Sequence, residues 1–100
     1  MLFCSPRRKW GRAELKQITF FHLPYCPYCL DARRIMADLY REYPEFKNIP
    51  VQEIDESRER ALAESYDYYL VPAYYIGEEK LHEGIPTKKS LLKVFQFALA

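Results

Sequence analysis

The sequence predicts an α/β sandwich with a central mixed four-stranded sheet, in the order β-α-β-α-β-β-α. Three observations predict it. Short runs of β-branched and aromatic residues alternate with stretches of helical period. Prolines open or close several of these segments, and a Gly-Glu-Glu turn near residue 77 separates two short strand-like runs. Strand–helix–strand units connect as right-handed crossovers, so the sheet begins parallel and the closing hairpin makes it mixed.

Each element follows from its residues. Residues 17–21 (Gln-Ile-Thr-Phe-Phe) are β-branched and aromatic and form a buried strand. After a loop containing Pro24, Ala32, Ile35, Met36, Leu39 and Tyr43 recur at three- to four-residue spacing, with Arg33, Arg34, Asp38 and Arg41 on the opposite face. Pro44 ends that helix, because the residue before a proline disfavours the α region. Residues 51–54 form a second strand, entered through Pro50. Asp55-Glu56-Ser57 supplies capping oxygens to a helix over residues 58–66, with Ala61, Leu62 and Ser65 at helical spacing. Residues 73–76 (Ala-Tyr-Tyr-Ile) are a third strand, and Gly77-Glu78-Glu79 turns the chain into a hairpin partner over 80–83. Thr87 caps a last helix whose core face is Leu91, Leu92, Phe95, Ala98 and Leu99.

Composition narrows the function. One hundred residues hold one domain, and 49% apolar with 29% charged residues excludes a wholly disordered chain. No apolar run approaches the ~20 residues of a membrane span. A net charge of +1 supplies no global field for nucleic acid. The charge is uneven, however: in residues 1–16, Arg7, Arg8, Lys9, Arg12 and Lys16 face Glu14 alone. That stretch reads as a basic N-terminal extension to a domain over residues 17–100. Its basic start lacks the roughly 7–15 apolar residues of an export signal, so a cytoplasmic chain is expected.

Three cysteines are too few for a disulfide-stapled fold, and Cys4 reads as an incidental thiol. The chemistry lies at Cys26-Pro27-Tyr28-Cys29, between the first strand and the first helix. Open α/β sheets place their sites at this carboxyl edge. Cys26 falls at the helix N-cap, where unpaired amides and the positive end of the dipole favour a thiolate. It is therefore the expected nucleophile. Cys29, one turn on, can attack a mixed disulfide at Cys26 and release the reduced substrate. Pro27 suits the first helical position.

Structural zinc normally wants four ligands, and His22 and His82 stand alone, so no metal or organic cofactor is expected. His22 reads as a loop-satisfied residue or as a tuner of Cys26. Tyr66, Tyr68, Tyr69, Tyr74 and Tyr75 read mostly as core or sheet surface, with one or two on an apolar rim.

The run Phe20-Phe21-His22-Leu23-Pro24-Tyr25-Cys26-Pro27-Tyr28-Cys29 resembles the active-site segment of the thioredoxin superfamily. Its Cys-Pro-Tyr-Cys resembles the dithiol glutaredoxin form. Val71-Pro72 is similar to the family's cis-proline loop, and Asp55-Glu56, Ala63 and Tyr66 to thioredoxin's second helix. Gly84-Ile85-Pro86-Thr87-Lys88 resembles the glycine and last-helix start of thioredoxin. Several positions differ from the subfamilies: Phe20 stands where thioredoxins carry a buried Asp, Tyr25 where they carry Trp, Leu23 where glutaredoxins carry Lys or Arg, and only Gly84 and Thr87 stand in the region of the glutaredoxin Gly-Gly and Asp pair.

The resemblance implies a thioredoxin-like sandwich and a monomeric thiol–disulfide oxidoreductase. Cys26 and Cys29 would be catalytic, with Pro27 and Tyr28 completing the motif. Tyr25, Val71, Pro72, Gly84 and Thr87 would contact substrate, the Val71 backbone pairing with a bound peptide. Partners would be disulfide-containing proteins, with glutathione or a thioredoxin reductase as electron donor. Two other readings remain open at this point: a metal or iron–sulfur carrier bridging two chains through Cys26, and a redox-silent interaction module.

Overall fold

The computed structural model describes residues 16–99. All of the basic extension except Lys16, and with it Cys4, lies outside the described residues. Lys16 donates its backbone N–H to the Ala98 carbonyl at 3.1 Å.

The elements follow in the order β1 (Ile18–His22), α1 (Pro27–Glu42), a 3-10 turn (Pro44–Asn48), β2 (Val51–Asp55), α2 (Arg60–Glu64), β3 (Ala73–Ile76), β4 (Glu79–Glu83) and α3 (Lys88–Leu99). The sheet runs β2-β1-β3-β4. β1 and β2 are parallel, whereas β1–β3 and β3–β4 are antiparallel, so the sheet is mixed as expected.

Side chains alternate across β1 and divide the core in two. Ile18 and Phe20 enter a cluster with Ala32, Leu39, Val94 and Phe95 from α1 and α3. Phe21 points the other way and packs with Ile54, Ala63, Ala73 and Tyr75 beneath α2. Each fully buried large side chain contributes roughly 1.5–3 kcal/mol.

Four details depart from the sequence reading. First, α2 is five residues long rather than nine. The Asp55 carboxylate does not cap a helix. It accepts the Ser57 N–H at 2.9 Å and the Ser57 hydroxyl at 2.6 Å, forming a local turn. The helix therefore starts after Glu59, which makes no side-chain cap. Ala63 is its buried residue, while Ala61, Leu62 and Ser65 stay exposed.

Second, Pro44 ends α1 as expected, but the chain coils at once into the 3-10 turn. This turn buries Phe46 against Phe95, with ring centroids 5.3 Å apart. Tyr43, expected on the α1 stripe, is the cap residue stacked on Phe46 at 4.9 Å. Third, α3 buries Leu91, Val94, Phe95 and Ala98, whereas Leu92 and Leu99 are only half-buried. Fourth, the hairpin turn is Gly77-Glu78 alone, and Glu79 already belongs to β4. Gly77 has φ +61, a left-handed conformation that glycine adopts without cost.

Thr87 caps α3 as predicted. Its Oγ1 accepts the Ser90 N–H and the Ser90 Oγ accepts the Thr87 N–H, both at 3.0 Å.

Candidate active site

The chain leaves β1 through Leu23-Pro24-Tyr25 and enters α1 at Cys26. The Cys26 N–H donates to the Leu23 carbonyl at 3.3 Å, closing a tight turn. The Cys26 carbonyl accepts the Cys29 N–H at 3.0 Å and the Leu30 N–H at 3.1 Å, so it begins the helical ladder. Cys26 is the N-cap, with extended backbone at φ −81, ψ 121 and no side-chain cap bond, and Pro27 opens the helix. Its sulfur is thereby left at the positive end of a sixteen-residue helix.

Both thiols are free; Cys26 is half-buried, and Cys29 is only 2% exposed. Burial pushes the Cys29 thiol up to about 12; the Leu23 backbone opposes this, and the Cys26 side chain adds to the rise. Arg33, one turn further along α1, favours the Cys29 thiolate. Its guanidinium pairs with Glu53 at 2.7 Å and lies 5.4 Å over the Phe20 ring. Arg33 lies on the exposed face of α1, as its spacing predicts, and its i,i+4 relation to Cys29 brings its charge near that thiol.

Pro72, 46 residues after Cys26, is brought to the same place. The Val71–Pro72 peptide is cis. The Val71 carbonyl oxygen receives the Cys26 thiol at 4.0 Å, so dithiol and cis-proline loop meet. Behind them, the Gly84 N–H donates to the Pro72 carbonyl at 3.0 Å. Gly84 is buried and Thr87 is exposed, and the backbone N–H of each is engaged within the chain.

Tyr25 is 91% exposed, and Tyr28 is also exposed. A cavity of about 420 Å³ opens beside Cys26, lined also by Leu23, Pro24, Tyr25 and Ser57. A second, of about 430 Å³, shares Leu23 and Ser57 with it and extends toward Arg60 and Tyr68. The sequence marks Ser57 only as part of a capping run; folding brings the β2–α2 turn beside Cys26.

Two neighbours define the electrostatics further. Phe20 is fully buried and stacks on Tyr74 at 4.6 Å, with planes 5° apart. An apolar stack therefore occupies the position where the superfamily resemblance suggested a carboxylate. The His22 ring turns to Phe20 and Glu53, its Nε2 3.9 Å from the carboxylate. Burial first, and then Arg33, lowers its pKa and keeps the ring neutral near pH 7. Its Nδ1 is buried without a hydrogen-bond partner among the described residues. Of the tyrosines, Tyr74 and Tyr75 are buried, Tyr66 and Tyr68 half-buried, and Tyr69 stands out at 88% exposure.

Among the described residues no group of three or more His, Cys, Asp or Glu side chains is placed to hold a metal ion. None of the described helices is long and apolar enough to cross a membrane.

Comparison with known proteins agrees with this arrangement. The chain is 26% identical to a thioredoxin of Methanocaldococcus jannaschii over 80 residues, covering 80% of this chain and 92% of that protein. Thioredoxin-2 of the malaria parasite superimposes with a TM-score of 0.64 at 16% identity, over 83% of this chain and 82% of that one. A thioredoxin variant from Halobacterium salinarum gives 0.61 at 19% identity, over 84% and 74% of the two chains. The fold is thioredoxin-like. The glutaredoxin family model matches residues 18–81, which include β1, the dithiol, the cis-proline and most of the closing hairpin, and the chain belongs to the glutaredoxin family.

Proposed function

We propose that this chain is a thiol–disulfide oxidoreductase that reduces protein or low-molecular-weight disulfides through Cys26 and Cys29. The observation that carries the reading is the meeting of three features. Cys26 stands at the start of α1, its sulfur faces the Val71 carbonyl beside cis-Pro72, and buried Cys29 lies one turn behind.

The chemistry balances in two exchanges. The Cys26 thiolate attacks one sulfur of a substrate disulfide, forms a mixed disulfide and expels the other sulfur as a thiolate. Cys29 then loses its proton and attacks the Cys26 sulfur, which closes the Cys26–Cys29 disulfide and releases the second substrate thiolate. Both expelled thiolates take up protons, so the substrate gains two electrons and two protons. Two molecules of a low-molecular-weight thiol such as glutathione, which leave joined as their disulfide, or a thioredoxin reductase, return the two electrons.

Val71 would guide the substrate by pairing its backbone with an extended segment, as an added strand pairs with a sheet edge. Exposed Tyr25 and the cavity beside Cys26 offer an apolar contact next to the reacting sulfur. Gly84 and Thr87 would serve the substrate surface from behind, by bracing Pro72 and anchoring α3. No prosthetic group takes part in these steps. The protein would act as a monomer in the cytoplasm.

Insulin reduction with dithiothreitol as electron source tests the reading. Cys26→Ser is expected to lose the catalysed rate entirely. A Cys26→Ser protein as active as its parent would overturn the proposal.

A further inference from the structure

Between α2 and cis-Pro72 the chain runs exposed through Asp67, Tyr69 and Leu70, with no strand or helix to hold it. Its backbone amides need partners, and one side chain provides them. The Glu83 Oε2 accepts the Tyr69 N–H at 2.5 Å and the Leu70 N–H at 2.8 Å. The Glu83 Oε1 accepts Lys80 Nζ at 2.8 Å, and the same ammonium donates to the Asp67 carbonyl at 3.2 Å. Tyr75, on β3, donates its hydroxyl to that carbonyl at 2.5 Å.

One carboxylate on the hairpin thus holds the segment leading directly into Val71. Gly84 completes the clamp. It has φ +91, and a Cβ there would stand 3.3 Å from Leu70 Cδ1.

The amides are drawn inward while the side chains point out, Tyr69 at 88% and Leu70 at 60% exposure. Ile85, just beyond Gly84, is exposed as well. These apolar groups flank the loop whose carbonyl faces the Cys26 sulfur.

We propose that Glu83 is a positioning residue for substrate docking: its carboxylate fixes the Tyr69–Leu70 backbone so that Tyr69, Leu70 and Val71 form a preset edge for an incoming peptide bearing a disulfide. The inference rests on the redox reading proposed above and identifies what orders the peptide-binding edge. A preset edge binds more tightly because its ordering entropy is already spent. The anchor should therefore govern KM for large substrates and leave the reactivity of the sulfur alone.

The test compares full-length parent, Glu83→Ala and Glu83→Gln on insulin and on 2-hydroxyethyl disulfide, which has no peptide backbone to lie along the edge. Glu83→Ala should raise KM for insulin about tenfold, as expected for losing charge-assisted contacts, with kcat kept. The small disulfide should be reduced at the parental rate. Glu83→Gln retains a carbonyl oxygen for the two amides and should restore most of the insulin KM. Amide exchange at Tyr69 and Leu70 should quicken in Glu83→Ala while β1 stays protected.

An unchanged insulin KM, an equal loss on both disulfides, or unchanged exchange at the two amides would overturn the inference and leave the redox reading standing. A parent chain that reduces neither disulfide would overturn both.

Discussion

The Cys26 sulfur lies 4.0 Å from the carbonyl oxygen of Val71, a residue 45 positions away in the chain. Two separate parts of the fold create this contact. The β1–α1 turn sets the thiol at a helix start, and the loop that enters β3 brings the Val71 carbonyl, next to cis-Pro72, to face it. A substrate backbone docked on Val71 would arrive with its disulfide over Cys26.

The two cysteines differ in environment, and that difference can be measured chemically. Burial holds the Cys29 thiol at about 12, so at pH 7 it is protonated and shielded. In a Cys4→Ser background, brief treatment with iodoacetamide at pH 7 should label Cys26 and spare Cys29 until the chain is denatured. Peptide mass mapping reads the outcome, and equal labelling would contradict the assignment.

Acid should release the Glu83 anchor. Lys80 first, then the Tyr69 and Leu70 amides, lower its pKa from 4.5 to about 2. Because the folded value lies below the unfolded one, the stabilisation is fully present above pH 4.5. It is lost as pH falls from there toward 2. Glu83→Gln removes this titration, so its urea midpoint should fall less steeply between pH 5 and pH 2 than the parent's. Parallel acid limbs would contradict the clamp.

Phe20 fills its place beneath the site by packing. Phe20→Ala removes a fully buried ring and its stack on Tyr74, and should cost ~3–5 kcal/mol in urea denaturation. A loss below 1 kcal/mol would show that the core closes over the site.

Thr87 holds the start of α3 through its cap. Thr87→Ala should cost about 1 kcal/mol, and Thr87→Ser should recover most of it, because a hydroxyl again accepts the Ser90 N–H. Denaturant midpoints of the three proteins decide the point.

How much of this was legible in the residues depended on whether a signal was local. The dithiol stood out because cysteine chemistry belongs to single residues in a strand–turn–helix setting, whereas Pro72 was marked only by its resemblance to the superfamily's cis-proline loop. The β3–β4 hairpin and the Thr87 cap were legible because their signals too were local. The extent of α2 was not, because Asp55 oxygens that suit a helix cap serve a turn at Ser57 equally well. Phe46 was hidden in a 3-10 turn too short to show a period. Val94, on the buried stripe of α3, was passed over for Leu92 and Leu99, since apolar spacing alone does not say which side of a stripe faces the sheet. The Glu83 clamp left no sequence mark at all: a charged residue on a half-exposed strand reads as solvated until the loop comes across to meet it.

The most direct test of the central claim is to trap the intermediate. Cys29→Ser should stop turnover after the first exchange when incubated with an oxidised protein substrate, leaving a covalent complex that dithiothreitol releases. Mass spectrometry of its peptides should place the substrate sulfur on Cys26. A bond mapped to Cys4, or no complex from a folded Cys29→Ser protein whose parent is active, would contradict the account.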